Sequence, residues 1–170
     1  MTRVNGFTIL ELIFTLAILI TSLSISIPTL NQWVQRSKTS NLQHSLLHSI
    51  HYARTQATLL QSTITLCPGS SKCERSWGSS LLIFIDQDNN GSIDQNETLL
   101  KQINIGLLGQ YLDWRSFSRT TYVQFNTQGI TPALNGTFHF CPDGPENEFK
   151  FSIILARTGR VRVSDTHNCQ

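Results

Sequence analysis

Hydrophobic residues in this chain fall into two regimes. From Phe7 to Ile27 they form a nearly unbroken run, and from Leu42 they thin to a stripe at Leu42, Leu46, Ile50, Ala53, Ala57 and Leu60. Steps of three and four residues place that stripe on one face of a helix. A single helix is therefore predicted from about Phe7 to Leu60, apolar all round at first and amphipathic later. Pro28 lacks an N–H and crowds the preceding turn, so a kink or weak turn is expected beside it. Asn31, Gln32, Gln35, Arg36, Ser37, Lys38, Thr39 and Ser40 form a polar neck between the two regimes. From residue 62 the pattern shortens to strands punctuated by Gly, Pro, Asn and Asp, predicted at 62–67, 81–86, 98–105, 111–117, 122–126, 136–141, 149–156 and 160–163. Helix followed by strands implies an α+β chain, with the antiparallel β domain packed on the second half of the helix.

The apolar run changes the picture most. At about 1.5 Å per residue it is long enough to cross the roughly 30 Å of bilayer hydrocarbon. Glu11 interrupts it, and a carboxylate at that depth costs roughly 2.5 to 3.5 kcal/mol even on lenient scales, so it needs a partner. A secretory signal would have a shorter apolar core and an Ala-x-Ala type cleavage site, and neither is present. The segment Gly6-Phe7-Thr8-Ile9-Leu10-Glu11-Leu12, after a leader charged at Arg3, resembles the class III signal of type IV pilins and pseudopilins. The resemblance implies that a prepilin peptidase cuts after Gly6 and methylates Phe7. It also implies that Glu11 pairs with the terminal amine of a neighbouring pilin in the filament. The expected organisation is a leader at 1–6, a transmembrane and assembly half of the helix at 7–28, an amphipathic half at 29–61 and a globular β domain at 62–170. The order of one long helix and then strands is similar to the GspH/FimT pseudopilin family, which implies a type IV pilin-like fold with two sheets against the helix. The implied location is the inner membrane, with the C-terminal domain in the periplasm, and then the pilus at the cell surface.

Length allows one small globular domain beyond the helix. Net charge is +2 over 170 residues, so the whole molecule is no obvious polyanion binder and any such site must come from local segregation of charge. Acidic residues gather at Asp86 to Glu97 and Asp143 to Glu148; basic ones gather at Arg115 with Arg119 and at Arg157, Arg160 and Arg162. The four cysteines, Cys67, Cys73, Cys141 and Cys169, all lie beyond the apolar run, where a periplasmic setting permits disulfides. Three pairings are open, and the favoured one joins Cys67 to Cys73 across a short loop and Cys141 to Cys169 at the C-terminus. Zinc is the rival reading, but paired C-x-x-C spacings are missing.

Asp86-Gln87-Asp88-Asn89-Asn90-Gly91-Ser92-Ile93-Asp94-Gln95-Asn96-Glu97 follows the calcium-loop pattern of the EF-hand. It offers oxygens from Asp86, Asp88, Asn90, the Ser92 carbonyl, Asp94 and Glu97, with Gly91 at the sharp turn. Its flanks read as strands, so no helix pair clasps it. The competing reading is a solvated hairpin loop rich in turn-forming residues, which GspH/FimT relatives often carry.

Arg157-Thr158-Gly159-Arg160-Val161-Arg162-Val163 carries the sharper expectation. Strand periodicity sends Arg160 and Arg162 to one face and Val161 and Val163 to the other. Two guanidiniums about 7 Å apart match the spacing of successive phosphates, and each binds a phosphate bidentately. Gly159-Arg160-x-Arg162 also resembles the G-R-x-R motif of the FimT branch, which implies DNA binding during natural transformation. Arg157, Lys150 and His167 are candidates to extend the patch, as are Arg115, Arg119, Asn168 and Gln170. The competing reading is an edge strand that uses charge to avoid sheet-to-sheet association.

No catalytic constellation is present. His44, His48 and His51 recur at helical spacing and read as a polar stripe, and His139 and His167 lack a nucleophile or metal set around them. Phe138, Phe140, Phe149 and Phe151 alternate with polar residues and are predicted as sheet core, with His139 facing outward. The resulting expectation is a minor type IV pilin that binds extracellular DNA non-specifically for uptake. The alternative is a structural or priming minor pilin, or a pseudopilin of a type II secretion system, without DNA binding.

Overall fold

The computed structural model describes residues 8–78, 80–105, 111–132, 135–142 and 149–164, without the side chains of 25–29 and 111. The expectations for Gly6, Phe7, Asp143 to Glu148, His167, Asn168, Cys169 and Gln170 lie outside the described residues. Among the described residues, one helix, α1 (Ile9–Leu60), is followed by eight strands: β1 (Ile64–Pro68), β2 (Ser80–Ile85), β3 (Thr98–Asn104), β4 (Tyr111–Ser116), β5 (Val123–Phe125), β6 (Gly136–Cys141), β7 (Phe151–Leu155) and β8 (Val161–Ser164). By its contacts the chain divides into two units, 1–38 and 39–170.

In the first unit, Thr8 caps the helix: its Oγ1 accepts the Glu11 N–H at 3.3 Å, and its carbonyl accepts Leu12 N–H at 3.2 Å. Thr8-Ile9-Leu10-Glu11 thus has the T-x-x-E spacing of a capping box, and Glu11 stands in the positive first turn of the helix. Hydroxyls in the apolar run satisfy themselves on the backbone. Thr15 donates to the Leu12 carbonyl and Ser24 to that of Ile20, so neither hydroxyl is left unpartnered in the apolar run. Ile9, Leu10, Ile13, Phe14, Ile18 and Ile20 are all exposed. Among the described residues, no helix is long and apolar enough to cross a membrane. The helix runs unbroken through Pro28.

In the second unit, two four-stranded antiparallel sheets share one core with the end of α1. The first sheet has the order β3-β2-β1-β5, the second β4-β6-β7-β8. Leu42, Leu46, Ile50, Ala53 and Ala57 form the helix's buried stripe. They meet Ile64, Leu66, Leu81, Ile83, Val123 and Phe125 of the first sheet. From the second sheet come Leu112, Trp114, Phe138, Phe140, Phe151, Ile153 and Leu155. Trp77 packs edge-on against Phe138, and Phe140 stacks on Phe151. Leu60 departs from expectation and is exposed. The helix ends there, because Gln61 takes the left-handed conformation and its amide caps the Thr58 carbonyl at 2.7 Å. Phe149 is also displaced from its expected place: it precedes β7, outside the strand, and is half-buried.

All five residues of β1 are buried, which alternation alone does not explain. Thr65 and Cys67 face away from the main core, and a second cluster of Cys67, Leu82, Phe84, Cys73, Ile93 and Tyr122 covers that outer face. The expected Cys67–Cys73 pair is a disulfide in the structure. Cys141 is disulfide-bonded too.

Candidate functional site

The basic segment folds as the β7–β8 hairpin. Gly159 N–H donates to the Ala156 carbonyl at 2.8 Å and Ala156 N–H to the Arg160 carbonyl at 2.9 Å, closing the three-residue loop Arg157-Thr158-Gly159. Such a loop needs a left-handed residue at its end, and Gly159 has φ +73°. Its surroundings demand glycine as well: a Cβ there would stand 2.3 Å from the Gly129 carbonyl oxygen and 2.9 Å from Arg54 Nε.

That close approach ties the hairpin to two other elements. Arg54 of α1 donates Nε–H to the Gly129 carbonyl at 3.0 Å, and Thr131 N–H donates to the Arg157 carbonyl at 2.9 Å. Asn126 shapes the intervening loop, its Oδ1 accepting the N–H groups of Gln128 and Ile130. Arg54 therefore adds a guanidinium to the turn, which sequence reasoning missed. A signal existed: Arg54 is the sole Lys or Arg between residues 39 and 60, and it borders the buried stripe at Ala53.

Beyond the turn, Arg160 and Arg162 are exposed while Val161 and Val163 pack against the core. β8 pairs with β7 in the register Ile154↔Arg162 and forms one edge of its sheet. The two arginines thus project from one face of an edge, about 7 Å apart along the chain. Arg157 is exposed in the turn. Among the described residues none of the three makes an ion pair with a carboxylate.

The other candidates do not join them. Lys150 precedes β7 at the opposite end of the hairpin, about 20 Å of extended chain from the turn. Arg115 lies on β4, the far edge of the same sheet, and is paired with Asp113 at 2.7 Å. Arg119 sits in the turn after β4. His44, His48 and His51 are exposed on α1, as a polar stripe requires.

The acidic segment connects β2 to β3 and folds back over the outer face of the first sheet. Asp86 is 1% exposed. Its Oδ2 accepts Thr65 Oγ1–H at 2.6 Å, Gln124 Nε2–H at 2.9 Å and Gly91 N–H at 3.0 Å. Gly91 has φ +76°, and a Cβ there would stand 2.1 Å from the Tyr122 ring. Asp88 accepts both the backbone and side-chain N–H of Asn90, whose amide also reaches Asp94 at 3.0 Å. Asn90 Oδ1 in turn accepts the Ser92 N–H at 2.6 Å. Glu97 accepts Gln87 N–H on one oxygen and Asp94 N–H on the other. The segment lies on the first sheet and the arginines on the second, and no ion pair joins them among the described residues.

A family model described as "Type II transport protein GspH" matches residues 43–163, from within α1 to within β8. Among solved structures, the chain is similar to the type IV minor pilin FimU of Pseudomonas aeruginosa strain PAO1 in two crystal forms. One gives 20% identity over 78% of this chain and 92% of that one, with a TM-score of 0.60. The other gives 20% identity over 75% and 90%, with a TM-score of 0.53. The minor pseudopilin EpsH of the Vibrio cholerae type 2 secretion system aligns at 15% identity over 71% of this chain and 91% of its own, with a TM-score of 0.50. No curated protein matches the chain by sequence.

Proposed function

The chain belongs to the GspH family, and from that premise we propose that this minor pilin binds DNA through Arg160 and Arg162 of its β7–β8 hairpin. The family makes it a non-enzymatic, membrane-anchored subunit that assembles with other pilins of a type IV pilus or type II secretion system. The proposal adds a ligand to that assembly role. Its supporting observation is the exposure of Arg160 and Arg162 on one face of an edge strand, with no carboxylate partner among the described residues.

Chemistry makes the pair suited to phosphate. Each guanidinium offers a planar fork that matches two phosphate oxygens, and the arginines' spacing follows that of a nucleic-acid backbone. Arg157 adds charge at the turn, and Arg54 stiffens it from behind. Contacts of this type read no base edges, so binding is indifferent to sequence. Two to four neutralised phosphates correspond to a dissociation constant of roughly 10⁻⁴ to 10⁻⁶ M at physiological salt. The logarithm of affinity then falls with that of salt at a slope of about −2 to −4. Several subunits in a filament raise the effective affinity by avidity. In this role the exposed apolar start of α1 and Glu11 serve assembly, after processing between Gly6 and Phe7 by a prepilin peptidase.

The test is DNA binding by the detergent-solubilised chain and by its Arg160→Gln/Arg162→Gln variant at two salt concentrations. Salt-sensitive binding that the variant loses supports the reading. A folded wild-type chain that binds no DNA refutes it and leaves a purely structural or priming minor pilin. Fold likeness to FimU and EpsH favours that second reading, under which the double variant functions normally and Glu11→Ala alone impairs assembly.

A further inference from the structure

We infer that the β2–β3 loop binds a calcium ion, held by Asp86, Asp88, Asn90, Asp94 and Glu97 side chains and the Ser92 carbonyl. The inference starts from a buried group that the protein leaves incomplete. Asp86 is 1% exposed, and although its Oδ2 accepts three hydrogen bonds, its Oδ1 has no partner. An ionised carboxylate in such a place is normally paired with a cation or fully hydrogen-bonded. Among the described residues no Lys or Arg forms an ion pair with Asp86 or with any other carboxylate of the loop.

Beside Asp86 stand more carboxylates. Single oxygens of Asp86, Asp88 and Glu97 all lie within 4.8 Å of one another. Calcium binds oxygen at about 2.3 to 2.6 Å, so two ligands on opposite sides of one ion stand about 4.6 to 5.2 Å apart, and this group fits inside such a shell. Like charges gathered this closely repel unless something positive sits among them. The Asn90 amide partly fills that role, its Nδ2 donating to Asp88 at 2.7 Å and to Asp94 at 3.0 Å. A cation at the same place draws the three carboxylates directly and takes the Asn90 amide oxygen in place of its nitrogen.

The residue order fits this geometry. Asp86, Asp88, Asn90, Ser92, Asp94 and Glu97 occupy loop positions 1, 3, 5, 7, 9 and 12, and Gly91 takes the sharp turn at position 6. No helix pair is needed to close the loop, because the sheet performs that task. Ile85 pairs with Thr98, so the next residue on each strand, Asp86 and Glu97, leaves the ladder beside the other. Ile93 at position 8 is half-buried against the cluster of Cys67, Leu82 and Phe84, pinning the loop to the outer face of the first sheet.

The test uses the full chain in detergent after treatment with a calcium chelator. Half-saturation is expected at about 10⁻⁴ to 10⁻³ M, the range of extracellular calcium modules. At about 10 mM calcium the melting midpoint rises by about 4 to 8 °C. Magnesium at the same concentration has a much smaller effect, because it demands octahedral geometry and sheds water reluctantly. Glu97→Gln and Asp88→Asn, at positions outside the buried core, abolish the calcium response. A wild-type midpoint indifferent to calcium overturns the inference, and so does an equal rise in the Glu97→Gln variant or with magnesium. A second readout needs no ligand variant: terbium bound in the loop is excited through Tyr122, whose ring lies against Gly91. Emission that calcium displaces and Tyr122→Phe removes supports the site; absence of calcium-displaceable emission overturns it.

Discussion

The β2–β3 and β7–β8 hairpins both concentrate charge in a sheet connection, yet they handle it in opposite ways. The acidic loop folds inward, buries Asp86 and spends its other carboxylates on local N–H groups. The basic turn buries only Gly159 and leaves Arg157, Arg160 and Arg162 exposed. Charge that the fold uses for its own cohesion is costly to remove, whereas charge left at an edge is available to a partner and cheap for the fold to lose. The two hairpins are therefore expected to separate stability from DNA binding.

The largest effect tests the acidic side. Asp86→Ala strands Thr65, Gln124 and the Gly91 N–H together, and a loss of about 2 to 4 kcal/mol is expected in urea denaturation. A loss under about 1 kcal/mol would break the contrast, since Asp86 would then be no anchor. Gly159→Ala comes next, at about 1 to 3 kcal/mol, because its Cβ meets the backbone oxygen of Gly129 at positive φ. It checks whether the basic turn's one buried residue behaves like the acidic loop. Arg54→Met keeps much of the packed stem but deletes the bond to Gly129, for about 1 kcal/mol. The same change is expected to weaken DNA binding modestly, which sharpens the contrast by placing Arg54 on both sides of it. Arg160→Gln/Arg162→Gln has the smallest effect on folding: the melting midpoint is unmoved while DNA retention falls to background. A lowered midpoint would mean that the edge strand uses these charges for itself.

Much of this was legible in the chain. All eight strands appear where alternation and turn residues place them, because each strand's period is a local property of its own side chains. The stripe from Leu42 to Ala57 is equally local, and it is buried throughout. What failed were ends and long-range partnerships. Leu60 continues the helical period but falls where Gln61 ends the helix, and Phe149 continues the strand period beyond the point where the ladder begins. The partition into sheets was equally out of reach: β5 returns to pair with β1, which depends on closures between residues far apart in sequence. Arg160 and Arg162 were visible because period two alone turns them outward. Arg54 was not, since its link to Gly129 spans 75 residues and obeys no period. Nor does a row of carboxylates show which one is buried; Asp86 is, because it leaves β2 where its carboxylate meets the side chains of Thr65 and Gln124.

Arg54 also settles where the basic turn stands. Its bond to Gly129 and the approach of Gly159 lock the turn to one level of the helix shaft, so the arginines cannot drift along it. In any array built by stacking such shafts, each subunit's rise becomes the rung spacing of a positively charged ladder. Under the DNA-binding proposal, the pitch at which a captured polyanion meets successive subunits is an inherited dimension of that array.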